Sequence, residues 1–352
     1  MVGLGPVHTT ARGVVRVNSG NPVVLHIGVH KTGSTALQAA LAAARPELQE
    51  RGVLYPGRDE AHHAAAWAVT GFTMGYGEEA TSVRSRNWPV LVRQARRHDG
   101  PVMISSEFFG RMRAPAVRRV VSDLGTDRLQ VVFAVRRLGD LLPSSWQQYL
   151  KSGLTVPYRD WLKDVLTSDE PETTKGFWYR ADFAELIRRW KRVLPPERIT
   201  AVILEPTQRD RMYRVTEDML GLPAGLLEPH RVAGRENRSM TAVEAEAVRR
   251  TNLLVRDTMG WAEYSREIRH GAIRAMVENR VPPEGEPRIV TPRWALRKAV
   301  RRQERDRRRI LSSGINVVGD ADHLLTRPTA ATIQQVTQFP ADIADYGLIG
   351  AR

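Results

Sequence analysis

The sequence predicts an α/β fold, a parallel sheet flanked by helices. Three short apolar runs predict it: Val23–Ile27 (VVLHI), the VMI of Pro101–Ser106, and Leu129–Val135 (LQVVFAV). Their β-branched, uninterrupted apolar character fits strands buried on both faces. Each is followed by a polar or glycine-bearing turn and then by helical spacing, the alternation of βα units. No run approaches the roughly 20 apolar residues that a membrane-spanning helix needs.

Composition sets the outer limits. The chain has 352 residues, 42% of them hydrophobic, and 21 prolines, enough to bury a large core as one domain with helical additions or as two. Residues 1–20 lack the apolar stretch of a signal peptide and are expected to form a flexible leader. There is no cysteine, which excludes disulfides, cysteine-ligated zinc and a thiol nucleophile, and fits a cytoplasmic location. A net charge of +14 asks for an anionic partner. Nine basic residues of that excess lie in Arg293–Arg309, so the global charge says little about any one site.

The most informative stretch follows the first run. Gly28-Val-His30-Lys31-Thr32-Gly33-Ser34-Thr35 leads into the Ala/Leu-rich segment from Thr35 to Leu48, which favours helix. Glycines free the backbone, hydroxyls cap the helix, and several N–H groups converge with the positive end of the helix dipole on one spot. The spacing GxxxxG matches a phosphate-binding loop, but Ser34-Thr35 stands where Lys-Ser/Thr is usual, and the lysine sits inside the loop as Lys31. An ammonium there lies nearer the first phosphate and its bridging oxygen.

A second anion motif comes about a hundred residues later. At the end of Leu129–Val135 stand Arg136-Arg137, then Asp140 and Ser144 at the start of a helix. A guanidinium grips a terminal phosphate with paired N–H bonds and a serine adds a hydroxyl. Asp140 suits orienting an arginine or capping the helix. Between the two motifs, Glu107 follows the run Pro101–Ser106. A carboxylate at a strand's carboxyl end is a candidate general base.

Together these residues resemble the sulfotransferases that use 3′-phosphoadenosine 5′-phosphosulfate. Lys31-Thr-Gly-Ser-Thr35 is similar to their 5′-phosphosulfate loop, and Arg136 with Asp140 and Ser144 to their 3′-phosphate motif. The resemblance spans Val23 to Ser144, with weaker agreement to about Asn252. It implies a P-loop-like three-layer α/β sheet domain over 21–252, with 253–352 a helical extension packed on it. Lys31, Thr32, Gly33, Ser34 and Thr35 would hold the 5′-phosphate, Arg136 and Ser144 the 3′-phosphate. Lys31 would stabilise the leaving oxygen and Glu107 would be the base, with no metal required. The acceptor would be the hydroxyl or amine of a small molecule, glycan or lipid.

Several positions stay open at this point. His62 and His63 open a helix, and either one could replace Glu107 as base; adjacent positions do not share a helix face, which argues against a metal pair. Arg235 and Arg238 lie in a loop before the helix Thr241–Asn252, where a late basic loop could reach the 3′-phosphate. The basic segment 293–309, with Trp294, Leu296, Val300 and Ile310 as apolar markers, reads as a solvated helix face or a peripheral membrane contact. Gly71–Arg86 reads as a surface loop, Tyr179–Trp190 as one helix, 314–320 as a short β-like or loop connection, and 329–349 as helical around Pro340. Two other classes remain: a P-loop-type kinase, which would want a lysine after Gly33, and a non-catalytic binder of acidic polymer or nucleic acid through 293–309. Nucleic acid is the less favoured partner.

Overall fold

The computed structural model describes residues 20–71, 73–74, 81–82, 86–208, 210–230, 238–326, 336 and 338–348. The expected leader falls almost wholly outside the described residues, as do most of 71–86, 231–237 with Arg235, and much of the C-terminal stretch expected to be helical.

Five strands form one all-parallel sheet: β1 (Val23–His26), β2 (Val102–Ser105), β3 (Leu129–Val135), β4 (Ile199–Ile203) and β5 (Asn316–Val318), in the order β2-β1-β3-β4-β5. The α/β class predicted from the apolar runs is the one observed. The strands β1 to β4 are buried along their whole length. Their side chains alternate between two cores, as the period of a strand requires. Leu25, Ile104, Val131, Phe133 and Ala201 enter one, and Val24, Met103, Val132, Ala134 and Val202 the other. Helices cover both faces, giving three layers.

The helices used below are α1 (Ser34–Ala43), α2 (His63–Thr70), α3 (Leu138–Leu150), α4 (Phe177–Ala181), α5 (Ala242–Val255) and α6 (Arg293–Leu311). α1 lies on one face of the sheet and α2 on the other. A third, all-helical core joins α3, α5 and α6 through Leu142, Trp161, Val248, Tyr264 and Ala299.

The strand order positions the site. From β1 the chain crosses to β2 on one side and then to β3 on the other. Such a reversal leaves a crevice beyond the carboxyl ends of the central strands, because the connections diverge there. The Lys31 loop follows β1, Glu107 follows β2, and Arg136 follows β3, three neighbouring strands.

One element differs from the simplest sequence reading, and two others are as expected. Tyr179–Trp190 is broken at Asp182, whose carboxylate accepts the Glu185 N–H at 2.8 Å and starts a new helix. A side-chain cap outcompetes continuation of the ladder there. The stretch 314–320 supplies β5, so the C-terminal region gives the sheet an edge strand as well as helices. In α6 the apolar markers pack inward: Leu296 and Ile310 are buried and Trp294 sits against the helical core, while Arg293, Arg297, Arg301 and Arg308 are exposed. No helix among the described residues is long and apolar enough to cross a membrane.

The helical body is tied by one buried guanidinium. Arg280, 1% exposed at its side chain, pairs with Glu244 at 3.0 Å, Glu286 at 2.6 Å and Asp342 at 2.8 Å. Glu244 also closes the capping box of α5 with Thr241. Removing one partner of a buried ion network strands the others' charge, which costs about 3–5 kcal/mol. Arg280→Ala is therefore expected to lower the free energy of urea-induced unfolding by about that amount; an unchanged denaturation midpoint would contradict it.

Candidate active site

The β1–α1 turn takes the shape its glycines allow. Gly28 has φ +94, and a Cβ there would stand 2.7 Å from the Glu107 Cβ. Only glycine permits both the backbone conformation and that approach. Gly110 is held the same way, since its missing Cβ would meet the Ile27 carbonyl at 2.7 Å. The 3₁₀ turn Glu107–Arg111 thus presses directly on the Lys31 loop.

Gly33 caps α1 in the left-handed region, and the ladder of α1 begins at the Ala36 and Leu37 N–H groups, both bonded to the Gly33 carbonyl. The N–H groups of Ser34 and Thr35 precede that ladder and face the turn. No acidic side chain lies in the first turn of α1. Thr32 spends its hydroxyl on the Val29 carbonyl at 2.5 Å. The Ser34 hydroxyl is buried with no hydrogen-bond partner among the described residues. A buried hydroxyl at a helix N-terminus, left without a bond, fits an arriving phosphate oxygen.

Lys31, half-buried, has its ammonium pushed down to about 8, first by burial and then by Lys151, against the pull of Glu107. Arg136 reaches the same turn: its Nη1 donates to the Lys31 carbonyl at 3.0 Å. The cation of the first motif and the guanidinium of the second therefore share one rim. Burial lowers the Arg136 pKa, with Asp140 opposing. Asp140 itself bonds the neighbouring Arg137 Nε at 2.7 Å, and Arg137 continues to Thr326 at 3.0 Å. Ser144 donates to the Leu141 carbonyl at 3.0 Å within α3, so in this rotamer it turns a lone pair, not its proton, outward.

Glu107 stands on a buried polar network. Gln38, one helical turn beyond Ser34 on α1, donates to Glu107 Oε2 and to Ser105 Oγ, both at 3.2 Å. Ser105 Oγ also meets His26 Nδ1 at 2.8 Å. His62 accepts the Ser105 N–H on Nδ1, so its Nε2 carries the proton and donates to the Pro56 carbonyl. Burial pushes His26 and His62 each down to about 4, and both are neutral. With both nitrogens spent, His62 is a structural histidine. His63 lies nearer the carboxylate, its Nδ1 2.8 Å from Ser106 Oγ and 3.8 Å from Glu107 Oε2. Phe108 packs edge-on against His30, His63 and Trp67, an aromatic wall beside the carboxylate.

The sequence reading missed further cations. Lys151, at the end of α3, and Arg269, in a π-helical stretch Ser265–Ala272, both depress the Lys31 pKa by their charge. They come from distant elements without a motif, so only a lysine one residue past an aromatic helix gave any signal. Arg238 faces elsewhere: it forks the buried Glu244 with two 2.7 Å bonds and donates to the Met276 and Arg280 carbonyls, which binds it into the Arg280 network.

Gln303 of α6 also escaped notice. Its Oε1 accepts the Leu138 N–H at 2.7 Å and its Nε2 donates to the Arg136 carbonyl at 3.2 Å, fixing the β3–α3 turn from behind. Gln303→Leu, which keeps the volume and removes both bonds, is expected to cost about 1–3 kcal/mol through the stranded N–H. Thermal melts would read this as a clear drop, and an unchanged melt would refute the role.

No protein-family model and no curated protein matches the chain. Among solved structures, the crystal structure of a sulfotransferase from Alicyclobacillus acidocaldarius is similar over 58% of this chain and 83% of that one, at 17% identity and a TM-score of 0.41. A likeness of that degree does not carry a function, which has to come from the site.

Proposed function

We propose that the chain is a sulfotransferase that moves a sulfuryl group from 3′-phosphoadenosine 5′-phosphosulfate to a hydroxyl or amine. The observation that carries this reading is the bond from Arg136 to the Lys31 carbonyl, which puts two anion-binding elements on one rim beside a carboxylate. A donor with phosphate at both ends of its ribose matches two cationic elements so spaced. The unpartnered Ser34 hydroxyl and the open N-terminus of α1 suit the 5′-phosphate, and the N–H groups that Arg136 does not spend on Lys31 suit the 3′-phosphate.

In the transfer, the acceptor oxygen forms a bond to sulfur while the bond from sulfur to the bridging oxygen breaks. The electron pair leaves on that oxygen, which stays with the 5′-phosphate, and Lys31 neutralises the charge building there. Glu107 takes the acceptor's proton; Gln38 orients its carboxylate and His63 stands within reach to share the load. Lys31 and Glu107 are the catalytic residues, and Thr32 to Thr35 and Arg136 position the donor, joined by Ser144 once its hydroxyl turns from the Leu141 carbonyl.

Binding of 3′-phosphoadenosine 5′-phosphate, measured by calorimetry against ATP with and without Mg²⁺, tests the donor site. Tight binding without metal, weakened tenfold or more by Arg136→Ala and by Lys31→Ala, is expected; a preference for ATP with Mg²⁺ would instead indicate a kinase. The same titration has a pH signature. The Lys31 pKa is lowered to about 8, so the ammonium is present below that pH and is lost above it. Affinity should fall as pH rises through about 8 in the wild type and stay flatter in Lys31→Ala.

Glu107→Gln separates chemistry from binding. Loss of a general base typically costs about 10²–10⁴ in rate. The variant is expected to lose turnover on that scale while holding the nucleotide as the wild type does. Retained turnover would move the base to His63.

A further inference from the structure

The donor reading leaves the basic face of α6 unused, since the helix reaches that site through neutral Gln303. Eight positions of α6 are exposed; seven are basic and the eighth is Glu304. Arg293, Arg297, Arg301, Arg305 and Arg309 follow one another at four-residue steps, about 6 Å apart along the axis, a row of about 24 Å. At about 100° per residue the exposed positions fill an arc of about 160°. Other cations of α6 do have carboxylate partners. Arg302 pairs with Asp169 at 2.8 Å and lies over the Trp178 ring of α4, and Arg307 pairs with Asp322. Among the described residues none of the seven exposed cations forms an ion pair. Like charges four residues apart repel on a helix, and an anion lying along the row would offset that repulsion.

The surroundings of the row say what kind of anion fits. No large hydrophobic residue is exposed on α6, so a folded protein partner would find no apolar centre for an interface. No aromatic is exposed there for a nucleic-acid base to stack on, since Trp294 packs against the helical core. The opposite side of α6 is sunk into both cores through Ala295, Ala299 and Ile310. It therefore cannot enter a duplex major groove, which takes a whole helix. A flat lipid surface would meet only part of so wide an arc, and Trp294 and Ile310 pack away from it. What remains is a flexible chain recognised by charge. Six of the seven cations are arginine, whose planar fork gives a carboxylate or sulfate two parallel N–H bonds.

We propose that the exposed face of α6 docks an acidic polysaccharide, whose repeated anionic groups lie along the arginine row. The surface is separate from the crevice, and its role stands whether or not the donor reading does.

Binding of polygalacturonate to the full chain, measured by biolayer interferometry at several salt concentrations, tests this. Saturable binding that weakens with salt is expected. It should be at least tenfold weaker in a triple variant, Arg297→Gln with Arg301→Gln and Arg305→Gln. Glutamine is a good helix former and the three positions are exposed, so its thermal melt should match the wild type. Arg58→Gln with Arg93→Gln and Arg118→Gln removes the same charge from exposed positions elsewhere and should bind within twofold of wild type. Equal weakening in the two triple variants would reduce the effect to net charge and overturn the surface, as would absence of binding. Loss of the polymer in Lys31→Ala with Arg136→Ala would place it in the crevice and overturn the surface as well. Single-stranded DNA, polyglutamate or phosphatidylserine vesicles binding as tightly at equal charge would overturn the choice of polysaccharide. The α6 variant should hold 3′-phosphoadenosine 5′-phosphate as the wild type does; a wild type that fails to bind it sinks the donor reading and leaves the docking surface standing.

Discussion

The hydrogen bond from the Arg136 guanidinium to the Lys31 carbonyl does more for this site than its 3.0 Å length suggests. It joins the ends of two neighbouring parallel strands, β1 and β3, at the point where strand order reverses. Two like-charged side chains would separate on electrostatic grounds alone. Here a backbone acceptor between them holds one guanidinium at the base of the other's loop, and Gln303 holds the Arg136 carbonyl from the far side. Burial is the first cause of the depressed pKa values of Lys31 and Arg136, with Lys151 adding to it at Lys31 and Arg137 at Arg136, and a polyanionic ligand is the natural way to offset that cost.

Beneath the cations lies a polar layer that is satisfied almost completely. His26, Ser105, Gln38 and His62 are all buried, and each bonds another member of the set or a backbone group. Such a network fixes the carboxyl end of β2 to about one rotamer, because each member would be stranded by a shift of any other. Glu107 emerges from this fixed base with a bond from Gln38, so its carboxylate is aimed before any ligand arrives. Two buried polar atoms left without a bond among the described residues, Ser34 Oγ and His30 Nε2, are at the rim. A site that is saturated below and idle above is one built to receive polar groups from outside.

Much of this was legible in the sequence where the chemistry is local. β3 runs from Leu129 to Val135 as its apolar run does, and the Gly28–Thr35 turn shows its anion site in its own residue order. Lys31, Glu107 and Arg136 each follow a readable strand, so their convergence needed only the parallel order of the sheet. Lys151, Arg269 and Gln303 were not legible, because each reaches the site from a helix whose placement depends on tertiary packing. Asp182 failed for the opposite reason: a local cap overrode a helical pattern that looked continuous. His62 and His63 could not be told apart by sequence, since one residue of helical rotation, about 100°, sends one into the buried network and leaves the other by the carboxylate.

The positive charge of the chain also divides by purpose once the side chains are placed. α6 carries nine basic residues between Arg293 and Arg309, yet its inward face is Ala295, Leu296, Ala299, Gln303, Asp306 and Ile310, and its role at the site is exerted through neutral Gln303. Trp294, Ala295 and Ala299 pack into the helical core and Ile310 into the sheet core, while Val300 stays half-buried. Its exposed arginines act at a distance and through solvent, where salt screens them within about 10 Å. The cations around Lys31 and His30 are half-buried and screened far less. The same formal charge therefore means solvation and long-range attraction on α6 but a desolvated, weakly screened cluster in the crevice, and it is the depth of the cations rather than their number that sets the two apart.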